Sequence, residues 1–210
     1  KYDLIGNVID DPGNFSVHAD TPIKSLAELA TYAKANPGAV TYGTTGIGSD
    51  DHLAALAFER AAGVKLTHVP FKGAAEVHNA VASKQIMVAA INIGEALQYQ
   101  KGGTPLRHLG QMSVTRSTLA PHIPTFKEQG FNVIMASLRG VAAPKGLPPA
   151  VREQLVIALQ KTAADPEFQA KAAGYFAPLR YLAPAAYAQE LKSDEADFRQ
   201  LWQTAPWTDK

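Results

Sequence analysis

Short β-branched or apolar runs alternate along this chain with segments whose apolar residues recur every three to four positions. Strand-sized runs followed by amphipathic helices are the pattern of an α/β sheet covered by helices. Residues 2–8 and 14–18 read as extended. Ser25-Leu26-Ala27-Glu28 has the form of a capping box, Leu26, Leu29, Ala30 and Ala33 follow at helical spacing, and Asn36-Pro37-Gly38 stops the helix. Residues 40–44 predict a strand that enters Gly43-Thr44-Thr45-Gly46-Ile47-Gly48-Ser49. Leu53, Leu56, Ala57 and Arg60 then continue as a helix that ends near Gly63. Further strands are predicted at 66–71, 86–91 and 106–112, with helices at 74–83 and 95–100.

After Pro121 the rhythm changes. A short helix is predicted at 125–129 and an extended stretch at 131–143. Helices then start at Pro148, Pro166 and Pro184, each with proline near its first turn, where a missing N–H costs nothing. Tyr187, Leu191, Phe198, Leu201 and Trp202 form an apolar stripe that needs a partner surface. No internal repeat or low-complexity tract interrupts the chain.

Twenty basic against nineteen acidic residues give a formal charge of +1, so no global field draws the 210-residue chain to nucleic acid or anionic lipid. A charged ligand has to be held locally. There is no cysteine, which excludes a thiol nucleophile, a disulfide framework and a thiolate metal site. The chain has no run of about 18 consecutive apolar residues, the length a bilayer span needs. The chain opens at Lys1 without an initiator Met or a signal-like segment, so processing or truncation is expected to have removed what preceded it.

The glycine-rich loop carries the most chemistry. Glycines permit a tight turn, and amides at the following helix start present positive partial charge to a carboxylate or phosphate. Thr44, Thr45 and Ser49 add hydroxyls around Gly46, Ile47 and Gly48. The loop lacks the lysine of a nucleotide P-loop, and its order is GxxGxG rather than GxGxxG. The competing reading is an ordinary turn with Ser49 or Asp50 as helix N-cap. Asp50 and Asp51 favour a helix start yet repel an anion held there unless their side chains turn away. His52 either faces a ligand or packs under the loop, and the scaffold role is favoured. His68-Val69-Pro70-Phe71-Lys72-Gly73 places Phe71, Lys72 and the Gly73 amide at a sheet edge, where α/β proteins bind ligands. Lys72 there either neutralises a carboxylate or is simply solvated.

The six histidines show no metal-binding spacing, and neither a metal nor a cofactor is expected. Ser49 lies outside a GxSxG elbow, so no serine triad is indicated.

The block from Val40 to Ser49 with His52-Leu53-Ala54, followed by His68 to Gly73, resembles the tripartite tricarboxylate transporter receptors, also called Bug-type receptors. Pro22 to Leu29, Pro124 to Gly130 and Ala142 to Pro149 extend the likeness over nearly the whole chain. The resemblance implies a type II periplasmic binding-protein fold, here lacking the N-terminal part of its first lobe. It implies no catalysis. It implies capture of a small organic carboxylate (a di- or tricarboxylate or an aromatic acid) in the periplasm for the membrane components of a tripartite transporter. On that pattern residues 1–15 form a hinge-side strand of the first lobe, 16–130 the ligand-binding second lobe, 131–147 the hinge return and 148–210 the helical remainder of the first lobe. Two departures bear on the ligand: Ile91-Asn92 stands where the family commonly has Asp-Asn, and Leu138-Arg139-Gly140 where it commonly has Trp-Phe-Gly. Asn92 and Arg139 therefore join the expected ligand-binding set, favouring an acid without an ammonium group. Alternatively Arg139 forms a surface ion pair away from the cleft. If the first-lobe segment is truly absent, the apolar stripes of the last helices are expected to drive a homodimer; otherwise they cover an N-terminal segment outside the given sequence. Two other readings compete. One is the acid-sensing effector domain of a LysR-like regulator. The other is a hydrolase using Ser49 and His52.

Overall fold

The computed structural model describes residues 2–208. The chain forms two compact units. Of the described residues, the first holds 2–11 with Ser137–Thr204; the second holds Pro12–Ala136 with 205–208.

In the second unit the second half of β1 (Tyr2–His18) is followed by α1 (Leu26–Ala35), β2 (Thr41–Thr44), α2 (Asp50–Ala62), β3 (Thr67–Pro70) and α3 (Ala74–Ala82). β4 (Val88–Asn92), α4 (Ile93–Lys101) and β5 (Leu106–Gln111) complete it. The strand order is β3-β2-β4-β1-β5. β2 runs parallel to both β3 and β4, with Thr44 opposite Pro70 and Tyr42 opposite Val88. β1 is antiparallel to β4 and to β5.

β4 is buried along its whole length, as a central strand flanked on both sides should be, and its residues alternate between two cores. Val88 and Ala90 point toward Phe15, Tyr42 and Leu109 with Leu26 and Leu29 of α1 and Phe58 of α2. Ala89 and Ile91 point the other way, toward Val77 and Val81 of α3 and Ala96 of α4. Helices thus cover both faces. Phe15, Phe58 and Phe126 meet edge to face, with centroids 5.2 to 5.7 Å apart. Burying each such ring is worth about 1.5–3 kcal/mol.

In the first unit the first half of β1 pairs antiparallel with β7 (Leu179–Leu182), Asn7 opposite Leu182 and Ile9 opposite Leu179; β6 (Ala136–Pro144) also pairs with β1. Arg180 bridges Asp10 at 2.6 Å and Glu190 at 2.9 Å. α5 (Pro149–Ala164), α6 (Pro166–Gly174) and α7 (Pro184–Thr204) all begin at proline. α5 buries none of its residues, and Val151, Leu155 and Ile157 are 40–44% exposed. Of the stripe in α7, Tyr187 and Leu201 are buried, whereas Leu191 and Trp202 remain exposed.

The structure departs from the sequence reading in four places. Residues 2–8 and 14–18 belong to one 17-residue strand, because the intervening residues find partners. Asp10 N–H donates to the Pro178 carbonyl and Gly13 N–H to the Met135 carbonyl. The helix expected at 125–129 is a 3₁₀ turn at Lys127–Gln129. β7 was not foreseen. The chain from Ala205 on groups with the second unit rather than with the helices before it.

Candidate functional site

Parallel pairing makes β3, β2 and β4 end on the same edge of the sheet, so the segments that follow them are neighbours. Phe71 N–H donates to the Thr44 carbonyl at 3.0 Å, continuing the ladder past β3. A Cβ built on Gly46 would lie 3.8 Å from the Phe71 carbonyl oxygen. Asn92, at the end of β4, donates through Nδ2 to Asp50 Oδ2 at 3.1 Å. The glycine-rich loop, the turn at 71–73 and Asn92 therefore form one cluster within the second unit. The edge beyond the carboxyl ends of parallel strands is where sheets of this kind hold ligands.

Much of the loop's bonding capacity is used internally. Ser49 is the N-cap of α2: its Oγ accepts from His52 N–H at 3.2 Å and donates to the Gly46 carbonyl at 2.8 Å. Ser49 N–H also points to that carbonyl, Gly46 N–H to Thr44 Oγ1, and Gly48 N–H donates to His52 Nδ1 at 3.1 Å. Thr44 is buried, and its hydroxyl contacts His68 Nε2 at 2.7 Å. Thr45 turns its hydroxyl to Asp51 Oδ2 at 2.8 Å, and its backbone amide faces the same carboxylate. The sequence led us to expect a bank of open amides around Gly46. Instead the amides of Gly46, Gly48 and Ser49 are partnered, and among the described residues those of Ile47 and Asp50 have no hydrogen-bond acceptor.

The second turn is differently disposed. Gly73 is the N-cap of α3 and supplies no side-chain cap, so the first-turn amides of that helix are left without one. Lys72 is exposed beside them, and among the described residues its ammonium has no ion-pair partner. Its backbone N–H is held by Glu76 Oε2 at 3.1 Å. The Phe71 ring packs inward: a Cβ on Gly43 would come within 2.9 Å of its Cε2 and 2.5 Å of Ile86 Cδ1.

Electrostatics under the loop follow from burial. His52 and His68 stack with centroids 4.0 Å apart, and Tyr42 stacks on His68 at 4.9 Å. Burial depresses the His52 pKa, and burial together with neighbouring His52 lowers His68 to about 4. Both rings are accordingly neutral at neutral pH, which lets His52 Nδ1 accept the Gly48 amide. Asp51 is 2% exposed, and its Oδ1 has no partner among the described residues. Burial, then the like charge of Asp50, pushes its carboxyl well above the usual range, against the opposing effect of the Thr45 hydroxyl. Its side chain is turned into the protein and held by the Thr45 hydroxyl, away from the exposed loop tip.

The sequence profile described as "Tripartite tricarboxylate transporter family receptor" matches residues 2–178. The chain belongs to this receptor family. A UPF0065 protein of Cupriavidus necator is 34% identical over 173 residues, 82% of this chain and 52% of its own length. Among solved structures, a solute-binding protein of the same family from Polaromonas is 28% identical, with a TM-score of 0.81 over 97% of this chain and 69% of that one. A Rhodopseudomonas palustris protein solved with adipate shares the fold at 24% identity, with a TM-score of 0.88 over 99% of this chain and 69% of that one. This family member thus spans about half the length of the curated relative it matches.

Within this receptor-family chain, Thr44, Thr45, Gly46, Ile47, Gly48, Ser49, Phe71, Lys72, Gly73 and Asn92 all lie in the second unit, with His52 under the loop. Arg139 belongs to the first unit. Its Nη1 sits 3.1 Å from Asp11 Oδ2, a carboxylate only 1% exposed. Ser49 and His52 are tied through backbone atoms and the Gly48 amide, an arrangement that caps α2 and does not aim a base at the hydroxyl. Sequence reasoning named Asp51 and His68 without giving either its place under the loop, and it overlooked Trp207, which lies against Gly48 and carried no local signal.

Proposed function

We propose that this chain is the ligand-holding part of a periplasmic solute receptor that captures a small organic carboxylate for a secondary membrane transporter and performs no chemistry on it. The observation that carries this reading is the second turn. An α-helix start without a side-chain cap stands beside an exposed lysine at the carboxyl edge of three parallel strands. Helix N-terminal amides and an ammonium together favour a carboxylate. The Ile47 amide of the neighbouring loop, without an acceptor among the described residues, adds a second donor position. A carboxylate at each end of the ligand fits two donor groups, and adipate in the fold relative from R. palustris is a dicarboxylate of this class.

Asp51 is buried and held by the Thr45 hydroxyl, and the engagement of Asn92 with Asp50 turns the second acid aside. Among the described residues no helix is long and apolar enough to cross a membrane. Isothermal titration against di-, tri- and aromatic carboxylates tests it. Saturable binding of at least one acid, weakened by Lys72→Gln, is expected. Failure of every acid to bind a folded chain refutes it.

A further inference from the structure

Gly48 forms the outer turn of the glycine-rich loop, with φ at +78°, a conformation that glycine adopts without strain. A Cβ built there would lie 3.2 Å from both Cδ1 and Nε1 of Trp207. The loop tip at Ile47 and Gly48 is exposed, and Trp207 itself is half-buried. The pyrrole edge of the indole therefore rests on the Gly48 backbone, and its benzo ring projects away from it. The segment carrying Trp207 groups with the second unit, although α7 before it belongs to the first.

Lys72, Asn92 and the α3 amides at this edge are polar and suited to the charged ends of a ligand, whereas Ile47 at the loop tip is apolar and 41% exposed. Trp207 supplies a large flat apolar surface beside them, and a flat ring favours apolar or aromatic groups over hydroxyls that would lose water without gaining a partner. We propose that Trp207 is a specificity-determining residue of this site. Its indole forms an apolar wall on the glycine-rich loop and selects acids with an aromatic or extended hydrocarbon body over compact hydroxylated acids. The proposal rests on the reading that this sheet edge holds a carboxylate.

The chain has two tryptophans, so Trp202→Phe leaves Trp207 as the sole tryptophan, excited selectively above the tyrosine absorption band. Adipate, benzoate and citrate are titrated into this variant with fluorescence and calorimetry in parallel. Emission is expected to shift to shorter wavelength as adipate or benzoate binds, with the same midpoint as the heat. Trp207→Ala is expected to weaken adipate and benzoate about tenfold and citrate less than about twofold, roughly the loss of one buried ring contact. Trp207→Phe, which keeps a flat ring without the N–H, is expected to recover most of the loss. Should Trp207→Ala misfold, the emission shift and the Phe variant still decide the matter.

Equal weakening of all three acids, no weakening, or a shift of emission to longer wavelength on binding overturns the wall while leaving carboxylate binding intact. Absence of binding by all three acids to the unsubstituted chain overturns the carboxylate site, and the wall falls with it.

Discussion

Gly43 sits in β2 one residue before the loop, and its missing side chain is what lets the Phe71 turn close against that strand. A Cβ there would stand 2.5 Å from Ile86 Cδ1 and 2.9 Å from Phe71 Cε2, both far inside ordinary contact. Ile86 is 4% exposed, so its methyl has little room to retreat. Overpacking a dense core costs about 1–3 kcal/mol, and Gly43→Ala should destabilise by that amount. Ile86→Val removes the clashing methyl and alone costs about 0.5–1.5 kcal/mol. The double variant should therefore be more stable than the sum of the two losses implies, by about 0.5 kcal/mol or more. Urea unfolding followed by circular dichroism, with unchanged slopes, supplies the three differences. Because the second clash is with Phe71, Gly43→Ala should also weaken carboxylate binding, and Ile86→Val should not restore that part. Strict additivity in stability, or full recovery of binding in the double variant, refutes this account of how the two loops are set against each other.

Other outcomes follow from the same geometry. His68 and His108 are both lowered to about 4 by burial, so below the ordinary histidine range the unfolded chain takes up protons that the folded chain refuses. This contribution is absent above about pH 6.5 and destabilises progressively as pH falls toward 4. Histidine ring-proton titration by NMR should give midpoints for both well below 6, and midpoints near 6.5 contradict the burial argument. Asp51 works in the opposite sense: its raised folded pKa favours the folded state at low pH, and that support is lost as pH climbs above 3.8 toward the folded value. Asp51→Asn should accordingly stabilise the chain at pH 8 more than at pH 4, and an equal effect at both counts against it. Arg139→Ala should cost about 2 kcal/mol by weakening the hold on buried Asp11, with part recovered when Asp11→Asn is added. If Arg139→Ala leaves the unfolding midpoint unchanged, the pair is not structural.

What could be read from the sequence was local. The capping box at Ser25 is present as expected, Ser25 Oγ accepting from Glu28 N–H at 3.1 Å while Glu28 Oε2 takes Lys24 N–H. The strand, loop, helix unit from Thr41 to Ala62 needed only glycines, periodicity and an N-cap, all contiguous. Long-range pairing was not legible. Asp10-Asp11-Pro12-Gly13 has the composition of a turn, yet β1 continues through it, because Asp11 meets Arg139 and Gly13 meets Met135 and Met112 from distant parts of the chain. β7 is four residues whose partners, Asn7 and Ile9, lie 175 and 170 positions from Leu182 and Leu179. The loop's residues were found from its glycines, but how its amides are spent was not. That depended on where His52 and Asp51 point, a matter of packing rather than spacing. Trp207 belongs to the same class, since nothing near it in sequence announces Gly48.

Amide NMR during titration with adipate addresses the carboxylate site at the level of individual N–H groups. Under the carboxylate-receptor reading, the resonances of Gly73, Ala74, Ala75 and Ile47 move most and saturate together, while those of Gly46 and Gly48, already hydrogen-bonded within the loop, move little. Saturable shifts confined to other parts of the chain, with Gly73 and Ile47 unmoved, would contradict it.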